Sequence, residues 1–141
     1  MMICCPKTAK GAAAFCVRVS FGASLLLIGL SHFMTFTAFK GMVMEGLGPL
    51  TALGALWAFI LPALMVVGGA LLVVGMYPEV AAWAAGVAIG SIPVGMLFKP
   101  ILGGVALPDV MGAAINAFVW LILYVLVIKM TSCCGSCEKK E

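Results

Sequence analysis

Charge is what this sequence has least of. Of its 141 residues, 9% are charged and 65% are hydrophobic, whereas a soluble domain carries about 25% charged residues. A chain this short and this apolar has too little polar surface to cover itself with, which excludes an ordinary water-soluble domain. Imidazole is scarcer still, since His32 is the single histidine. The five acids all fall near predicted helix ends or in the C-terminal tail. No paired carboxylates, no nucleophile beside a base and no phosphate-cradling loop can be assembled from the sequence, so general acid–base chemistry has little to work with. Coiled-coil heptads, low-complexity tracts and nucleic-acid signatures are also missing. The chain is expected to have no catalytic activity of its own and no nucleic-acid partner.

What is present is a set of uncharged apolar runs. No charge falls between Arg18 and Lys40, Glu45 and Glu79, Glu79 and Lys99, or Asp109 and Lys129. Each gap supplies the roughly 20 apolar residues that a bilayer core requires. The expected fold is all-α, a polytopic four-transmembrane-helix bundle with the lipid bilayer as its main partner. The helices are predicted at about 17–38, 50–76, 80–98 and 109–130, flanked by an N-terminal tail (1–16) and a Cys-rich C-terminal tail (131–141). The second helix is long for one span and carries Pro62 at its middle, where a kink is expected. Pro93 occupies a similar place in the third.

Alternating spans put Lys7, Lys10, Arg18, Lys129, Lys139 and Lys140 on one side and Lys40 and Lys99 on the other. The excess of basic residues predicts that both termini are cytoplasmic. A cleaved signal peptide fits less well. Arg18 interrupts the early apolar stretch, and no small-x-small site closely follows "LLLIGL".

Lipid gives helices little hydrophobic reason to associate, so small residues mark packing faces. Ala82, Gly86 and Gly90 in helix 3, Ser20 and Ser24 in helix 1, Gly68 and Gly69 in helix 2, and Gly112, Ala113, Asn116 and Ala117 in helix 4 are the candidates. A bundle of this kind is also compatible with a homo-oligomer. Polar residues inside spans usually face the bundle interior. His32, Trp57, Ser91 and Asn116 each lie about seven residues from the outer end of a predicted helix, roughly 10 Å deep at 1.5 Å per residue. They form a candidate polar layer or small ligand pocket in the outer half, where His32 would face a quinone or another substrate or carry protons near neutral pH. The simpler role for His32 is a neutral imidazole tying two helices together, and a metal site there would lack a second histidine.

The stretch "VRVSFGASLLLIGLSHF" resembles the first helix of the DoxX family of membrane proteins, with Arg18, Gly22, Gly29, His32 and Phe33 at the matching places. The following "LPALMVVGGALLVVGM" is similar to the family's second helix, with Pro62, Gly69 and Gly75 corresponding. The likeness spans about residues 17–130 by helix count, its specific motifs lying in the first two helices. Many relatives carry an acid shortly after the helix-2 proline, where this chain has Met65. A carboxylate partner for His32 is thereby removed. The resemblance implies a four-helix plasma-membrane protein, a non-catalytic subunit or accessory of a quinone- or sulfur-linked redox system. Its implied partners are membrane oxidoreductase subunits.

Six cysteines is a high count for this length, and five sit at the chain ends: Cys4, Cys5, Cys133, Cys134 and Cys137. Cys134 and Cys137 form a Cys-x-x-Cys pair, a spacing suited to a redox dithiol or to holding a soft metal ion. With both termini on one side the two clusters could meet. A soft-metal (mercury or copper) binding or transport protein is therefore the second expectation, although mercury-uptake proteins place a cysteine pair within the first helix and this chain has only Cys16 there. Free or lipidated thiols are the plain alternative. The third expectation is a structural membrane protein that binds partners through its helices.

Overall fold

The computed structural model describes residues 9–102 and 104–134, with side chains as far as Thr131. Among these the fold is all-α: α1 (Ala9–Met34), α2 (Phe36–Met44), a 3-10 turn (Gly48–Leu50), α3 (Thr51–Val74), α4 (Pro78–Ile101) and α5 (Leu107–Cys134). Four of these helices, α1, α3 with its 3-10 turn, α4 and α5, are long and apolar enough to cross a membrane.

Helix α1 is already formed at Ala9, the first described residue and eight before the expected position 17, and stops four before 38. The early start follows from the Ala-rich stretch "AKGAAAF", which favours helix without needing lipid. The early stop lies at Thr35. There the Ser31 hydroxyl donates to the Ile28 carbonyl at 2.7 Å and the Thr35 hydroxyl to the Ser31 carbonyl at 2.9 Å. Hydroxyls that occupy backbone carbonyls in this way compete with the regular helix and often bend it. The chain then forms the short α2, which buries Phe39. Helix α3 runs without a break through Pro62, whose ring is fully buried. It ends on Gly75, whose left-handed φ of 76° suits glycine and whose N–H donates to the Leu71 carbonyl at 2.8 Å. Pro78 opens α4 at a position where a missing N–H costs nothing.

Helix α3 is the central element, packed on α1, α2 and α4. Two adjacent glycines serve its two sides. A Cβ on Gly69 would come within 2.6 Å of the Gly22 carbonyl oxygen and of the Leu26 nitrogen in α1. A Cβ on Gly68 would come within 2.8 Å of the Ala85 nitrogen in α4. The α1–α3 seam continues in antiparallel register. Gly22 meets Gly69 and Leu72, Gly29 meets Pro62 and Met65, and Arg18 meets Gly75. Met65 is thus a buried packing residue, 3% exposed.

Helix α5 rests on α4 and, over a shorter stretch, on α1. It is the least covered of the four spans. It turns Val110, Ala114, Ala117 and Val127 inward and leaves Gly112, Ala113 and Asn116 exposed. Of the expected stripe on α4, Gly86 receives the Tyr124 hydroxyl of α5, which donates to the Ala82 carbonyl at 2.9 Å, while a Cβ on Gly90 would touch nothing.

At the end of the bundle away from the chain termini, α2 folds across the helices. Lys99, 6% exposed, donates from Nζ to the Met42 carbonyl at 2.6 Å. Gly46 lies against Gly104, with no room for a side chain at either.

Replacing Gly69 with Ala is expected to cost about 1–3 kcal/mol, because backbone, not a flexible side chain, blocks the new methyl. Replacing Gly90 with Ala is expected to be neutral or to gain up to about 1 kcal/mol from helix propensity. Unfolding in detergent measures both, and equal shifts would show that the seam has no special role. Lys99→Met is expected to raise hydrogen exchange in residues 36–44 several-fold while α3 stays protected. Unchanged exchange would mean that the Lys99–Met42 bond does not hold α2 down.

Candidate functional site

Polar groups collect at both ends of the bundle. At the capped end, below α2, the His32 ring stacks on Phe39 with centroids 4.1 Å apart and planes 18° from parallel. This contact joins the last turn of α1 to the first turn of α2 across the break at Thr35. Trp57 of α3 donates from Nε1 to the Ser91 hydroxyl of α4 at 3.3 Å, and that hydroxyl donates in turn to the Ala88 carbonyl at 2.8 Å. Phe33 and Phe36 each meet Phe59 edge-on.

Of the four residues in the expected layer, the structure therefore joins Trp57 with Ser91 and gives His32 an aromatic partner from α2. Asn116 stands apart on the exposed face of α5. Depths from the capped ends of their own helices also differ. At 1.5 Å per residue, His32 is roughly 3 Å from its helix end, Trp57 9 Å, Asn116 13 Å and Ser91 15 Å. The shift arises from the helix ends, because α1 stops short of its expected end and α4 runs on to Ile101.

The opposite end, where α1 begins and α5 ends, holds a cavity of about 260 Å³. Its charged and polar walls are Arg18 of α1, Glu79 from the first turn of α4 and Thr131 of α5. The rest of the wall is aliphatic, with Leu72 and Met76 from α3 and its turn and Ala81 from α4 among it. Arg18 is 6% exposed. Its guanidinium lies against Gly75 at the C-terminus of α3, where the helix dipole favours a cation, and 5.4 Å from the Phe15 ring centroid. A side chain at position 75 would displace it, since a Cβ there would sit 2.8 Å from a terminal guanidinium nitrogen. Thr131, 3% exposed, donates its hydroxyl to the Val127 carbonyl at 2.9 Å. A second, more open cavity of about 330 Å³ lies between α4 and α5 beside Trp83, Gly86 and Tyr124.

None of His32, Trp57, Ser91 or Asn116 lines either cavity. Sequence reasoning marked Arg18 as a motif residue only through the family likeness, used Glu79 and Lys99 only as charges that bound and orient the spans, and did not single out Thr131. One available signal was the "GMYPE" turn at 75–79, where a glycine stop and a proline start bring a helix end and a carboxylate together. The burial of Lys99 had no comparable sign, because it depends on α2 lying across the bundle.

Cys4, Cys5 and Cys137 lie outside the described residues, and Cys133 and Cys134 are described only as backbone in the last turn of α5. Cys16 is free and exposed on α1. Among the described residues, no three His, Cys, Asp or Glu side chains are grouped to hold a metal ion. Compared with family models, curated proteins and solved structures, the chain finds no match.

Removing either partner of the Trp57–Ser91 bond, by Trp57→Phe or Ser91→Ala, is expected to destabilise the bundle. A double-mutant cycle should return a coupling of about 0.6 kcal/mol, typical of hydrogen bonds between membrane helices. Strictly additive effects would show that the two side chains do not interact.

Proposed function

We propose that the chain is a DoxX-like integral membrane protein acting as a non-catalytic subunit or accessory of a quinone- or sulfur-linked redox system. The observation that supports this reading is where the likeness-carrying residues fall. Arg18 against Gly75, Gly22 against Gly69 and Gly29 against Pro62 make up one helix–helix seam. A signature composed of close-packing residues suits a scaffold that positions other subunits or a ligand. His32, Trp57 and Ser91 at the capped end are the groups offered to a quinone. In this reading both termini face the cytoplasm of a plasma membrane, with six basic residues on their side against two on the other.

The test compares membranes with and without the chain. Quinone reduction driven by thiosulfate or sulfide should fall several-fold when the chain is absent and return on complementation. Gly90→Ala should complement fully and His32→Ala only in part, and the purified chain alone should turn over nothing. Equal rates in membranes with and without the chain would sink the proposal.

A further inference from the structure

The cavity at the terminal end brings charges of both signs into an aliphatic setting at the level where the apolar spans stop. We propose that it binds a zwitterionic head group bearing a phosphate and a primary ammonium, presented by an aminophospholipid of the bilayer or by the corresponding soluble phosphate ester. The inference goes beyond the redox role and does not depend on it.

Arg18 supplies the phosphate half. Its guanidinium is a planar fork of N–H donors that matches phosphate oxygens two at a time. It is already held in place by the C-terminus of α3 at Gly75 and by the Phe15 ring, so little side-chain freedom is lost when a ligand binds. Glu79 supplies the ammonium half. It is exposed on the first turn of α4 and lines the same cavity, where its oxygens accept N–H bonds from a primary ammonium.

Competing head groups fit less well. A plain anion meets the like charge of Glu79. A quaternary ammonium has no N–H to donate, and the lining residues include no aromatic ring to receive it by cation–π contact. At about 260 Å³ the cavity is smaller than the roughly 300–1,000 Å³ of sites that enclose a whole drug-sized ligand. It suits a head group whose chains remain in the bilayer. The aliphatic side chains of Leu72, Met76 and Ile128 then meet the uncharged part of the amphiphile.

Native mass spectrometry of the full chain, released from detergent with equimolar phosphatidylethanolamine, phosphatidylcholine and phosphatidylglycerol, tests the assignment. Phosphatidylethanolamine should be retained about tenfold over the other two, in line with the strength of charge-assisted hydrogen bonds. Glu79→Gln should bring it down to the level of phosphatidylcholine, and Arg18→Gln should lower retention of all three. Glu79 is exposed, so its variant remains informative even if Arg18→Gln fails to fold. Free phosphoethanolamine assigns the source. If it displaces the lipid, the soluble ester is a ligand in its own right, and if the lipid stays bound, the bilayer supplies the head group. Equal retention of phosphatidylethanolamine and phosphatidylcholine, preference for phosphatidylglycerol, or an unchanged preference in Glu79→Gln would each overturn the proposal.

Discussion

The contact between the backbones of α1 and α3 is the constraint on which the rest of the bundle depends. In lipid, hydrophobic side chains gain little by leaving one apolar neighbour for another, so helices hold together through close packing and polar ties. Gly22 and Gly69 leave no space for a methyl group at their crossing. Gly29 repeats the approach about two turns along, against the carbonyl of Pro62. Because Gly68 does the same toward α4, α3 can be gripped on both sides at one level, and the positions of three spans follow from two adjacent residues.

The same seam sets what stands at each end. Toward the chain termini it ends with Arg18 resting on Gly75, and the left-handed turn at Gly75 leads directly into Pro78 and Glu79. A cation and a carboxylate are thereby delivered to one cavity by three elements. At the other end the seam passes Gly29 and Met65 and gives way to His32, over which α2 folds. A carboxylate in place of Met65 would be buried against Gly29, about one turn of α1 from His32. With methionine there, the capped end is held instead by aromatic stacking, the Trp57–Ser91 bond and the grip of Lys99 on α2.

Much of the architecture was legible in the sequence because bilayer thickness and charge cost act on composition alone. The gaps bounded by Arg18, Lys40, Glu45, Glu79, Lys99, Asp109 and Lys129 gave the number of spans without reference to any contact. Gly68 and Gly69 were also visible as packing residues. Where each helix stops was harder to read. Ser31 and Thr35 can either bond back to their own helix or remain passive, and only the placement of α2 decides between these. Helix rotation was not legible at all, which is why Asn116 could be assigned to an inner layer although α5 turns Ala114 and Ala117 inward and that amide outward. Depth along a helix can be counted from its ends, whereas facing depends on neighbours that lie far away in sequence.

The seam has one more consequence, for the order in which the molecule can be made. Every residue that joins α1 to α3, from Arg18 to Gly75, leaves the ribosome before α4 and α5. Their close fit requires nothing synthesised afterwards. The pair can therefore settle as a hairpin in the membrane while the remainder of the chain is still being produced, offering the Gly68 face to α4 as it arrives. The sparsely covered α5 docks after α4, on a surface that the earlier helices have already completed.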